Sequence, residues 1–169
     1  MFCGGLSFRT TAAKYLSVKQ LIPTTSKILK QMNTVKISVQ ANILADTKKV
    51  WDYYTNPKHI TKWNFASPDW QCPKAENDLR VGGKYSARME AKDGSWGFDF
   101  EATYSEVTDQ KSFTYVLGDG RVATVEFKPQ GNGTNVIVTF DAETENSEEM
   151  QRGGWQAILD NFKKYAEAN

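Results

Sequence analysis

Gly153-Gly154-Trp155-Gln156-Ala157-Ile158-Leu159-Asp160-Asn161-Phe162 is the stretch on which the reading of this chain turns. Trp155, Ile158, Leu159 and Phe162 return at helical spacing, so one stripe of a long helix must be buried against a partner surface. Two glycines inside a helix cost about 1 kcal/mol each relative to alanine. The pair therefore points to close backbone packing or to space kept open beside the helix, against the plainer alternative of a kink or a late helix start. Asn146, with Glu149 three residues on, reads as a capping box. Glu148 and Glu149 in the first turn, and Lys163 and Lys164 near the end, would complement the helix dipole.

Working back from that helix, period-2 alternation dominates. Val136, Val138 and Phe140, then Ala123, Val125 and Phe127, then Phe113, Tyr115 and Leu117 mark three strands, separated by Gly131-Asn132-Gly133 and Gly118-Asp119-Gly120. Before them, Trp96, Phe98, Phe100, Ala102 and Tyr104 share one face of a strand that Trp96 opens. Gly97, Asp99, Glu101, Thr103 and Ser105 share the other. Tyr85, Ala87, Met89 and Ala91 alternate likewise and run into an Asp93-Gly94 turn. Loops this short make neighbouring strands antiparallel.

The expected domain opens in the same way. Val35, Ile37, Val39, Ala41 and Ile43 alternate with polar residues as a half-buried first strand. Asp46 then caps a short helix carrying Val50, Trp51 and Tyr54, and Asn56-Pro57 starts a second. After Trp63, Pro68, Pro73 and the apolar residues Phe65, Trp70 and Leu79 are scattered without a period, and this reads as a loop or edge segment. The predicted order is strand, two short helices, five or six strands, long helix: an α+β architecture with a long helix laid across a curved antiparallel sheet.

Length and charge narrow the organisation. At 169 residues the chain suits one domain with a sizeable core. Residues 1–31 carry Arg9, Lys14, Lys19, Lys27 and Lys30 and no acidic residue. From Met32 onward the remaining 16 basic residues face all 20 acidic ones, a net charge of about −4. Residues 1–31 are expected to be a leader or disordered tail, with a transit peptide or a true start at Met32 as further readings. Residues 32–169 are the expected domain. A mildly acidic domain lacks the basic stripe of a nucleic-acid binder. No run approaches the roughly 18 apolar residues of a membrane span, and a cytoplasmic location is expected over organelle targeting. Cys3 and Cys72 imply no disulfide framework. One histidine and one domain cysteine cannot furnish a zinc shell, so neither metal nor cofactor is expected.

Four segments carry a family resemblance: Asp46-Thr47-Lys48-Lys49-Val50-Trp51, Asn56-Pro57-Lys58-His59-Ile60-Thr61-Lys62-Trp63, Leu79-Arg80-Val81-Gly82-Gly83 and the Gly153 to Phe162 stretch. With them the chain resembles the bacterial relatives of the Hsp90 ATPase activator C-terminal domain, within the START-like (SRPBCC, Bet v 1-like) superfamily, over about Thr34 to Ala168. The resemblance implies a helix-grip fold, in which a curved sheet wraps the last helix and leaves a cavity between them. It also implies a chaperone-type protein partner as a second role. The eukaryotic activators carry an additional N-terminal domain, for which residues 1–31 are too short. Cyclases and related enzymes occur on the same fold, which is weak warrant by itself.

The residues support a cavity independently. Tyr85, Met89, Trp96, Phe98, Phe100, Tyr104 and Tyr115 on the sheet, with Gly153, Gly154, Trp155 and Ile158 on the helix, are the candidate lining of a pocket for a small apolar or amphipathic molecule. Trp63 and Trp70, read as lying in or beside a loop at one end of the sheet, are candidates for a gate or a plug at its mouth. Ordinary core packing is the competing reading for each aromatic. His59 has no nucleophile beside it in its motif and reads as a surface residue. Asp99, Glu101 and Arg88 fall on wet faces, so a catalytic carboxylate would need a bulge that turns it inward. An enzyme would instead rely on a buried, perturbed tyrosine, with Tyr85, Tyr104 and Tyr115 as candidates. Gly82-Gly83 lacks the spacing and lysine of a phosphate loop. No catalytic motif is legible, and noncatalytic ligand binding is the leading expectation.

Overall fold

The structure, a computed structural model, describes residues 34–169; the expected leader at residues 1–31, and Cys3 within it, lie outside them. The elements are β1 (Lys36–Ile43), α1 (Thr47–Thr55), α2 (Pro57–Trp63), β2 (Trp70–Gln71), β3 (Ala75–Asn77), β4 (Lys84–Ala91), β5 (Gly97–Thr108), β6 (Ser112–Leu117), β7 (Val122–Gln130), β8 (Gly133–Asp141) and α3 (Glu148–Ala168). Every strand pairing is antiparallel, in the order β1-β8-β7-β6-β5-β4-β2, with β3 also on β4. The curled sheet grips α3, as the helix-grip fold requires.

Local chemistry sets the short helices where the sequence places them. Asp46 Oδ1 accepts from Lys49 N at 3.0 Å, and Asn56 Oδ1 accepts from Lys58 N at 3.1 Å with Pro57 in the first turn. Val50 and Trp51 of α1 and Ile60 and Trp63 of α2 are buried against the sheet's inner face. That face is supplied by the alternating residues of β1 and β6 to β8, among them Ile37, Val39, Val125, Val138 and Phe140. Leu159 and Phe162 of α3 complete the core.

The last helix also covers the open edge of β1. Arg152 Nη1, Gln156 Nε2 and Lys163 Nζ donate to the carbonyls of Ser38, Gln40 and Asn42 at 2.9, 3.2 and 2.8 Å. Alternate carbonyls of the edge strand are thereby satisfied by one helix face, which blocks pairing with another chain there.

Several expectations need correction. The aperiodic stretch after Trp63 holds two strands, β2 and β3, of only two and three residues, too short to show a period. The run after the helices is thus seven strands. Ser147, not Asn146, caps α3, its hydroxyl accepting from Met150 N at 3.2 Å. Asn146 is instead held by Glu143, whose Oε1 accepts from both its backbone and its side-chain nitrogen. α3 runs to Ala168, so Lys163 and Lys164 fall short of the last turn, which holds no basic residue. Val35 is half-exposed and precedes β1. Trp96 lies just before β5 and is exposed.

Candidate functional site

A cavity of about 520 Å³ lies between the concave face of the sheet and α3. Ligand pockets commonly fall between 300 and 1,000 Å³. Its floor is set by strand alternation: Tyr85 and Met89 come from β4, Phe98, Phe100 and Tyr104 from β5, and Phe113, Tyr115 and Leu117 from β6. Trp155, Ile158 and Leu159 of α3 form the roof. Trp155 stacks on Phe140 with centroids 4.3 Å apart and meets Phe100 edge-on at 6.2 Å. A bulge at Ser105 shifts the register of β5, so that Val107 and not Glu106 stands opposite Phe113. The bulge therefore keeps an apolar wall where uninterrupted alternation would turn a carboxylate inward.

One end is closed by the short helices. Tyr54 of α1 packs edge-on to Phe162 and Phe127 at 4.9 and 5.4 Å, and Trp63 packs on Phe162 at 4.8 Å. Trp63 lies beside the loop, as the last residue of α2; it is 3% exposed and donates from Nε1 to the Tyr53 carbonyl at 3.0 Å. It borders the cavity at its closed end. Trp70 does not line the cavity. It lies on edge strand β2, against Trp96 and Phe98 at 5.7 and 6.2 Å. Trp96, 63% exposed, also stays outside the lining, beyond the end of its strand.

The glycine pair sits inside α3, so neither a late helix start nor close packing accounts for it. A Cβ at Gly153 or Gly154 would have no neighbour within 4 Å, and neither residue forms part of the lining. Of the thirteen candidate residues, Trp63, Tyr85, Met89, Phe98, Phe100, Tyr104, Tyr115, Trp155 and Ile158 border one space.

Polar groups gather at two places. At the closed end Asn64 Nδ2 donates to Tyr85 Oη at 3.1 Å, and Tyr104 Oη donates to Asn77 Oδ1 at 2.8 Å, while Asn77 Nδ2 donates to the Thr55 carbonyl at 2.6 Å. Burial, reinforced by neighbouring phenols, raises Tyr54, Tyr85 and Tyr115 well above the ordinary tyrosine range, and burial raises Tyr104 against the Asn77 bond. All four stay protonated at neutral pH. At the other end the β6–β7 turn brings Asp119 and Arg121 to the lining, paired at 2.7 Å from Nε to Oδ2. Burial works to raise the Asp119 carboxyl, but the bonds from the Arg121 backbone and guanidinium outweigh it and hold the group below its usual range.

The sequence did not single out Tyr54, Asn64, Phe113, Leu117 or Leu159 as lining. In sequence Tyr54 and Phe113 are simply apolar positions of their elements, and which end of the sheet α1 closes is a tertiary fact. His59 is not a plain surface residue. Its ring stacks on Tyr53 at 4.0 Å, Nδ1 bonds Tyr165 Oη at 2.7 Å, and Nε2 lies 3.6 Å from Asp52 Oδ2, which ties α1, α2 and α3 together away from the cavity. Asp99 and Glu101 border the cavity's rim, and Asp99 pairs with Arg88 at 3.5 Å. Cys72 is buried, and burial pushes its thiol up to about 11. Among the described residues no group of three His, Cys, Asp or Glu side chains is placed to hold a metal ion, and no helix is long and apolar enough to cross a membrane.

Comparison with known proteins places this geometry in context. Residues 45–167 match the family model described as activator of Hsp90 ATPase homolog 1-like protein. The AHSA1-like protein from Aeromonas hydrophila is 45% identical over 79% of this chain and 93% of its own, with a TM-score of 0.75. Chr148 from Cytophaga hutchinsonii is 46% identical over the same shares, with a TM-score of 0.69. NE0264 from Nitrosomonas europaea, at 21% identity over 79% of this chain and 95% of its own, shares the fold with a TM-score of 0.69. No curated protein matches the chain.

Proposed function

The chain belongs to the family of activator of Hsp90 ATPase homolog 1-like proteins, and from that premise we propose that it binds a small hydrophobic or amphipathic molecule in the cavity between sheet and α3, without catalysing its conversion. The observation that carries this is the chamber itself: about 520 Å³ bounded by aromatic rings from three strands and three helices. Protein interiors pack as densely as organic crystals, so a chamber of this size leaves apolar ring surface that a ligand covers. A molecule removing ~300 Å² of apolar surface from water gains about 7.5 kcal/mol at 25 cal/mol per Å², before the costs of association. The Arg121–Asp119 pair at the rim suits the polar end of an amphipathic ligand.

Native mass spectrometry of the full chain, followed by denaturing extraction, tests this. A small molecule released on denaturation, or saturable changes in tryptophan emission with a panel of lipids and polycyclic compounds, supports it. A protein of bare mass whose emission no member of the panel alters contradicts it.

A partner-binding role is the second reading, favoured by the family's description and by the exposed cluster of Trp96 and Phe98 beside Trp70. Aromatic side chains of this kind are enriched at interfaces. Addition of the protein to an Hsp90-type chaperone checks it: a changed ATPase rate supports the role, and an unchanged rate with no co-purification counts against it.

A further inference from the structure

Four phenols from α1, β4, β5 and β6 converge at the closed end of the cavity. The rings of Tyr85 and Tyr115 lie parallel within 4° at 6.1 Å, and Tyr104 meets Tyr115 edge-on at 6.0 Å. Tyr54 reaches the group through Phe113, which lies 6.0 Å from it and 5.6 Å from Tyr115. Their hydroxyls are used unequally. Tyr104 donates its proton to Asn77, and Tyr85 accepts from Asn64 and keeps its own proton unspent. The hydroxyls of Tyr54 and Tyr115 have no hydrogen-bond partner among the described residues, although Tyr115 is only 6% exposed. No side-chain oxygen or nitrogen among the described residues is both fully enclosed and unpartnered. Both residues line the cavity, so these two hydroxyls open onto it.

A hydroxyl kept from bulk water without a partner is destabilising, and native structures rarely retain one. Phenylalanine would fill the same volume without that cost, as Phe113 does between the two tyrosines. The chain thus keeps three available O–H donors in a chamber otherwise walled by rings. Arg121, the cation among the lining residues described, belongs to the turn at the other end and is already paired with Asp119. An anion at the phenols would therefore have no counter-charge nearby, whereas a neutral carbonyl oxygen offers two lone pairs and brings no proton that needs an acceptor. Burial keeps the phenols protonated, hence donors.

We infer that Tyr54, Tyr85 and Tyr115 form a polar subsite for a neutral acceptor oxygen, such as a ketone or ester carbonyl, on a ligand that is otherwise apolar. This rests on the ligand-binding reading above and adds to it the functional group at the inner end and the direction in which the ligand enters. The apolar body lies against Phe100 and Trp155, which border the cavity together, and the oxygen leads.

Two probes of matched shape separate the subsite from the cavity: 2-acetylnaphthalene, which carries a carbonyl, and 2-isopropenylnaphthalene, which replaces that oxygen by a methylene group. Their affinities are measured on the full chain and on Tyr54→Phe, Tyr115→Phe and the double variant. The expected result is that each single variant weakens the ketone about 3- to 10-fold and leaves the hydrocarbon within about twofold, since one hydrogen bond is at stake. The carbonyl stretch of bound 2-acetylnaphthalene should also move to lower frequency in the parent and recover in the double variant. All three variants should fold as the parent does, because the hydroxyls they lose hold nothing in the protein; unchanged far-UV and near-UV dichroism checks this. If both probes bind and the substitutions affect them equally, or not at all, the subsite is overturned while ligand binding stands. If neither probe binds the parent chain, the ligand-binding reading fails and the subsite fails with it.

Discussion

The indole of Trp155 lies nearly flat on the ring of Phe140, with centroids 4.3 Å apart and planes 17° from parallel. That contact seats the N-terminal half of α3 on β8, while Leu159 and Phe162 seat the rest. The cavity lies alongside this contact, bordered by Trp155 and by Phe98 and Phe100 of β5. Trp155→Ala removes the stack from a half-buried site. It should lower the unfolding free energy by about 2–3 kcal/mol, somewhat below the usual cost for a fully buried aromatic. Urea denaturation measures this, and a loss under about 0.5 kcal/mol would mean that the stack does not hold the helix.

Gly153 and Gly154 offer the opposite sign. Each sits inside α3 with nothing near the position of a Cβ. Gly153→Ala and Gly154→Ala should each stabilise the protein by about 0.5–1 kcal/mol through helix propensity alone. Thermal denaturation of the two variants decides this. Destabilisation would show that the glycines serve a second conformation of the helix.

Asn77 joins three elements: its side chain on β3 accepts from Tyr104 of β5 and donates to the last carbonyl of α1. Asn77→Ala leaves both partners without their bond in a mostly buried setting. The expected cost is about 1–3 kcal/mol. The variant should also release α1 locally, read as faster amide exchange at Tyr54 and Thr55 relative to β8.

High pH should unfold the protein earlier than its surface charges would. Tyr54, Tyr85, Tyr104 and Tyr115 are all raised by burial, and Cys72 reaches about 11. Each of these acids loses its proton more readily in the unfolded chain, near 10 for tyrosine and 9 for cysteine. Their contribution to stability is complete below those values and declines as pH rises beyond them. Absorbance at 295 nm should therefore show the buried tyrosines ionising in one cooperative step with unfolding above pH 10. Non-cooperative titration of every tyrosine near 10 would contradict the burial of the phenols.

Much of this fold is legible in the sequence because its elements are long and amphipathic. Strand alternation from Lys84 to Phe140 and the apolar stripe of α3 need no tertiary information. What escapes has definite causes. β2 and β3 are too short for a period, and Ser147 takes the cap because Glu143 already engages Asn146. Alternation places Trp96 on the inner face, but β5 begins one residue later and the side chain stands beyond the sheet. The cavity's aromatic floor follows from alternation, whereas Asn64, Asn77 and the Tyr54 hydroxyl become site features only when α1, α2 and β3 close one end. His59, apart from any motif partner in sequence, acquires Tyr165 from 106 residues away.

The indole N–H signals of the ¹⁵N-labelled full chain, followed during titration with 2-acetylnaphthalene, test the account most directly. Trp63 and Trp155 line the cavity, whereas Trp51 is buried elsewhere and Trp70 and Trp96 lie outside it. The account predicts saturable shifts of the Trp63 and Trp155 signals with a single dissociation constant, while the Trp96 signal stays in place. Shifts confined to Trp70 and Trp96, or none that saturate, would contradict a ligand-binding cavity between the sheet and α3.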